Sequence, residues 1–208
     1  MPNIDDEAKA WQLERSRVMG AAVARHRREA GLTATQLAAR CADLGYPMSR
    51  VAISKIESNS RAGKFDISEL VVLAASIGVP PVMLLYPELP DGEMEVLPGQ
   101  PSTGGLSMQW FEGAARTVFA KDDTTDRRHF RRMLEAINDM RDIREYLDVQ
   151  SALSGARLEA TAARGLGDTK KQAAAEAEMA EIRRNARQLM RSLRAGGYHI
   201  ADEESADG

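Results

Sequence analysis

The chain is short of cysteine, of aromatic residues and of long apolar runs, and each shortage excludes something. Cys41 is the single cysteine among 208 residues. That excludes an intrachain disulfide framework and any cysteine-based zinc cluster. Aromatic residues make up 5% of the chain, so its cores rest on Leu, Ile, Val, Met and Ala. The longest apolar stretch, Leu70 to Tyr86, is interrupted by Ser76, Gly78 and the Pro80-Pro81 pair, and does not read as a membrane span. The opening segment MPNIDDEAKAW is acidic and has no apolar run of the secretory type, so a cytoplasmic location is the expectation. His26, His129 and His199 are scattered without metal-ligand spacing. Gly165-Leu166-Gly167 lacks the strand–loop–helix setting of a phosphate loop and reads as a turn. There is no nucleophile motif, and no carboxylate pair stands in an apolar setting. The sequence predicts no catalytic residue, no metal and no cofactor.

What is present is charge, unevenly spread. The formal net charge is -3. Residues 1–86 carry +2, residues 87–126 carry -6, residues 127–200 carry +5, and the tail 201–208 carries four acidic residues and no basic one. Within the first block, Arg15 to Lys64 holds 10 basic and 3 acidic residues. A basic patch in an acidic chain is the footprint of a polyanion partner, although charged helix faces are more often simply solvated.

Helical signals dominate, and no stretch shows sustained strand alternation. The pattern predicts a helix from about Leu13 to Ala30, ended by Gly31. Thr33 caps a second helix to Leu44, Ser49 a third to Ser58, and Asp66 a fourth to Ile77. Pro80-Pro81 open a short fifth helix ending near Tyr86. Pro87 to Gly105 is rich in Pro and Gly and reads as a linker. A short helix is expected over 106–120, then long helices over 124–164 and 170–194. On the last of these, Met179, Ile182, Ala186, Leu189 and Leu193 continue a heptad stripe. The expected organisation is all-α: an arm over 1–12, a helical domain over 13–86, a linker over 87–105, a helical oligomerisation or regulatory domain over 106–200, and a disordered acidic tail.

The segments VARHRREAGLTATQLAAR, MSRVAISKIESNSR and ISELVVLAASIGVPPVMLL, between Val23 and Leu85, resemble the lambda repressor/Cro-like (Xre) family of helix-turn-helix proteins. Gly31-Leu32-Thr33 with Leu37-Ala38 matches its helix 1 to helix 2 junction. Ser49, Ile53, Ser54, Ile56 and Glu57 match its recognition helix. Leu73-Ala74 and Ile77-Gly78-Val79 match helix 4 and the step into helix 5. The resemblance covers about a third of the chain. It implies a five-helix domain, a structural ion pair between Arg27 and Glu57, and a double-stranded DNA partner. Two departures stand out. Ala34 occupies the place where the family carries a phosphate-binding Gln, with Gln36 two residues later. Leu37 and Ser49 are 12 positions apart where the family has about seven, so helix 2 or the turn is longer.

In such a fold the second helix of the motif enters the major groove. Ile53 and Ile56 then face the core, and Arg50, Val51, Ser54 and Lys55 are the candidate base contacts. Thr33, Thr35, Gln36, Ser49, Arg61 and Lys64 are the candidate phosphate contacts. Cys41 lies on the apolar stripe Leu37, Ala38, Cys41, Leu44 and reads as core. His26 reads as a half-buried structural residue. The C-terminal helices suit a homodimer, an intrachain hairpin, or both at once as a four-helix core. The functional expectation is a transcriptional regulator, a repressor in type, bacterial or phage-encoded and associated with the nucleoid. The rivals are a protein-interaction adaptor of the antitoxin, phage or polymerase-partner kind, and a non-specific DNA architectural protein.

Overall fold

The computed structural model describes residues 6–115 and 127–201. These residues are mostly helical and divide into two compact units, one ending at Phe111 and the other starting at Glu112. Among them, no helix is long and apolar enough to cross a membrane.

The first unit is built from α1 (Asp6–Glu29), α2 (Ala34–Asp43), α3 (Arg50–Glu57), α4 (Ile67–Ile77) and α5 (Pro81–Leu85) around one core. Val23, Leu37, Ile53, Leu73 and Leu84 each come from a different helix and are fully buried. Each helix is stopped or started by a local device. Thr33 and Gln36 form a reciprocal capping box at α2, and Asp66 and Glu69 form another at α4. Gly78 ends α4 in the left-handed conformation at φ 89. Cys41 is fully buried, and its sulfur accepts a hydrogen bond from the Ser76 hydroxyl at 3.3 Å.

Gly20 fixes the crossing of α1 and α3. It is buried on α1 against the backbone of Ile56. A methyl group there would stand 3.2 Å from the Ile56 carbonyl carbon and well inside contact distance of its oxygen. Only glycine lets the two helices approach this closely.

Three expectations change. Of the arm expected over 1–12, the part from Asp6 onwards belongs to α1, because the run to Gly20 holds good helix formers and no breaker, and residues 1–5 lie outside the described residues. The Trp11 indole of that extension donates to the Glu95 carbonyl oxygen at 3.2 Å. The linker over 87–105 holds a hairpin of β1 (Glu93–Leu97) and β2 (Gln100–Thr103), paired antiparallel from Glu93↔Thr103. Strands of five and four residues are too short to show alternation, and only Val96 of β1 is buried. The helix expected over 106–120 is α6 (Gly104–Phe111), which ends before Gly113 at φ 67. The remainder of that expectation lies outside the described residues. Phe111 meets Tyr86 edge-to-face at 5.8 Å. Hairpin and α6 therefore belong to the first unit.

The second unit is an antiparallel helical hairpin of α7 (Arg127–Gly165) and α8 (Thr169–Ala195). Ala156, Ala160 and Ala163 on α7, with Ala175, Ala186 and Leu193 on α8, are its buried apolar positions along the two helices. Small residues near the turn let the helix axes approach. Gly167 at φ 70 makes the turn, and the Asp168 carboxylate accepts from the Lys171 amide at 3.0 Å to start α8. At the open end the Tyr198 hydroxyl donates to Asp139 at 2.9 Å. Helix α7 runs unbroken through Gly155. The acidic tail expected from Asp202 lies outside the described residues.

Candidate nucleic-acid interface

The candidate face begins with how α3 is divided. Ile53 and Ile56 are buried beneath it, while Arg50, Val51, Ser54 and Lys55 are all exposed on its other side. Val51 is 60% exposed, a large fraction for a β-branched apolar residue. Core burial on one side and exposure on the other follow from the 3.6-residue period. The structure thus brings the four candidate base contacts onto one surface.

The longer spacing between Leu37 and Ser49 is taken up in the turn. Helix α2 stops at Asp43, and Leu44 to Met48 lead into α3. Gly45 adopts φ 82, and the Tyr46 amide returns to the Cys41 carbonyl at 3.0 Å. Met48 is buried and anchors the far end of the turn.

The candidate phosphate contacts separate by chemistry. The Ser49 hydroxyl accepts from the Ala52 amide at 3.1 Å, which leaves its proton for an external acceptor. Thr33 and Gln36 are turned towards each other: Gln36 Oε1 accepts from the Thr33 amide at 2.8 Å and hydroxyl at 2.9 Å. The Thr33 proton is therefore engaged within the chain. Thr35 and Lys64 are exposed. Arg61 is held within the chain, because its Nη1 donates to both oxygens of Glu69, at 2.8 and 2.6 Å. The Glu69 carboxylate thereby offsets part of the positive charge at this position.

Arg27 and Glu57 come together across the domain. Arg27 Nε and Nη2 donate to the two Glu57 oxygens at 2.6 and 2.8 Å, and both side chains are mostly buried. Arg27 Nη1 also donates to the Leu32 carbonyl at 2.7 Å. Its pKa is pushed further up by the hydrogen bond to Glu57. One guanidinium thereby ties α1, the α1–α2 junction and the end of α3. His26 is buried, with Nδ1 2.9 Å from the Glu29 carboxylate.

Sequence reasoning missed two residues that shape this face. Glu69 captures Arg61, and the only signal for it is its place in the first turn of α4. Asn59 follows α3 at φ 52, and its side-chain Nδ2 donates to the Leu13 carbonyl at 3.1 Å. Asn is the residue that most readily takes that backbone conformation after glycine.

The heptad stripe of α8 lies within the chain. Ala186 and Leu193 are buried, and Met179, Ile182 and Leu189 are half-buried in the hairpin. Of the readings left open by the sequence, the intrachain hairpin describes this stripe. Apolar side chains remain outside on α7, where Met140, Leu147 and Leu158 are 38%, 57% and 73% exposed.

Among the described residues, no group of His, Cys, Asp and Glu is placed to hold a metal ion. Comparison with family models, with curated proteins and with solved structures gives no match to this chain.

Proposed function

We propose that this chain is a sequence-specific, double-stranded DNA-binding transcriptional regulator, a repressor in type, whose first unit is a helix-turn-helix domain of the lambda repressor/Cro-like kind. The observation that carries the reading is the division of α3. Arg50, Val51, Ser54 and Lys55 stand exposed together, with Ile53 and Ile56 buried beneath them. That set has the right chemistry for the major groove. Arg50 suits bidentate bonding to guanine O6 and N7, Lys55 the same acceptors or a phosphate, and Val51 a thymine methyl. Ser49, Thr35 and Lys64 are exposed as well and offer hydrogen-bond donors to phosphates. Such a helix works in the cytoplasm, on chromosomal or phage DNA.

The chain acts as a homodimer in this reading, because two half-sites require two reading helices. Met140, Leu147 and Leu158 support it: they fall within a narrow arc of α7 by helical period and are left exposed by α8.

Selection of binding sites from a random duplex pool tests the proposal. Full-length protein is expected to enrich an inverted repeat with half-sites about one helical turn, or a multiple of it, apart. Arg50→Ala is expected to narrow the preference for that site over random duplex by about 1–3 kcal/mol. Equal binding to every duplex would replace the regulator by an architectural protein. Absence of binding would leave an adaptor of protein partners.

A further inference from the structure

The second unit carries a feature that base reading by α3 does not use. From Ile182 to Ile200 the chain has five arginines and no acidic residue. The first half of α8 is different: Lys170 and Lys171 are followed by Glu176, Glu178 and Glu181. A helix face that is merely solvated interleaves both signs, as that first half does.

The arginines also share a direction. Arg184, Arg187, Arg191 and Arg194 are spaced 3, 4 and 3 residues apart and are all exposed. At 100° per residue they fall within one narrow arc, turned away from the buried Ala186 and Leu193. Successive members rise about 4.5–6 Å along the axis. Arg187, Arg191 and Arg194 line a shallow concavity together with Met190. Like charges at this spacing repel along a helix, and no salt bridge offsets Arg184, Arg187 or Arg191 among the described residues. Arg127, Arg131 and Arg132, at the start of α7 and therefore at the same open end of the hairpin, are exposed as well.

We infer that this arginine stripe on α8 is a second DNA-binding surface, which grips the phosphate backbone of duplex DNA without reading sequence. Guanidinium groups match phosphate oxygens bidentately, and a row of them along one helix face suits a line of regularly spaced anions. The inference rests on the DNA-binding reading of the first unit and adds to it a contact that raises affinity for any duplex.

The test is the salt dependence of duplex binding by full-length protein. Each phosphate contact contributes about 0.9 to the slope of log affinity against log salt. The variant Arg184→Gln/Arg187→Gln/Arg191→Gln is expected to lower that slope by about 2.7. Between about 50 and 200 mM salt, wild-type affinity should then fall about 40-fold further than that of the variant. The matching Lys triple should keep the wild-type slope, and the ratio of selected to random duplex affinity should not change. Lys170→Gln/Lys171→Gln, at the turn end of the hairpin, should leave the slope where it was. An unchanged slope in the Gln triple, with wild-type binding intact, overturns the stripe and spares the α3 reading. An equal loss per charge at Lys170 and Lys171 also overturns it, since net charge alone would then be acting. Absence of wild-type binding overturns both.

Discussion

Gly20→Ala sets two measurable effects against each other. In an unpacked helix the change would stabilise by about 1 kcal/mol through helix propensity. Here the new methyl meets the Ile56 carbonyl, which is backbone and cannot rotate aside. To reach ordinary contact distance, α1 and α3 must part by about 1 Å, against a core that tolerates overpacking at a cost of about 1–3 kcal/mol. Separating these helices also disturbs the Arg27–Glu57 bonds, which bridge the same pair. The steric cost is therefore taken at the top of its range, and the net expectation is destabilisation by about 1–2 kcal/mol. For a domain of this size that lowers the midpoint of thermal unfolding by about 4–15 °C. Circular dichroism melts of wild type and variant at one protein concentration read it directly. A variant as stable as wild type, or more stable, would refute the close crossing and leave helix propensity as the larger effect.

Two further outcomes follow from the same unit. Arg27→Met is expected to cost about 3 kcal/mol by leaving Glu57 mostly buried and unpaired, and Arg27→Met/Glu57→Leu to recover part of that loss. Urea midpoints that fall by the full sum of the single changes would deny the coupling. The carboxyl of Asp66 is held below its usual pKa by the backbone hydrogen bond from Ser68, and by its hydroxyl. A folded pKa below the unfolded one gives stability that is present above about pH 4 and is lost as pH falls through the folded value. Asp66→Asn keeps a cap but not that titration. Its stability should decline less than that of wild type as pH falls below about 4, with the two curves parallel well above it.

Capping residues and periodicity made most helices legible. Thr33, Ser49 and Asp66 each stand directly before a helix, and Gly78 directly after one. These are local signals, readable without a neighbour. The apolar positions Leu37, Ile53 and Leu73 then marked the core, since period and burial coincide there. The β1–β2 hairpin was not legible, because its strands are short and are held by pairing rather than by their own pattern. Trp11 bonding to Glu95 was not legible either, as 84 residues separate them. The destination of Arg61 was hidden for another reason, since Glu69 lies only 8 residues further on. Sequence marks a cation near the end of α3, but the carboxylate that takes it depends on how the loop through Ala62, at φ 53, brings α4 round. On α8 the heptad stripe was legible as a seam, while its partner helix was a question of topology.

The helical hairpin has a kinetic consequence. Its pairings are nested about the Gly167 turn, so their separation along the chain rises steadily from the turn to Tyr198 and Asp139, which are 59 residues apart. Closing that outermost contact first would mean closing a long loop in one step. Closing the contacts in order from the turn adds only a short increment each time, as in a zipper. Opening runs the same way in reverse, from the end that bears Arg127, Arg191 and Arg194. Amide exchange should accordingly be fastest at that end and slow progressively towards Ala163 and Ala175, a gradient along two helices rather than a single protected block.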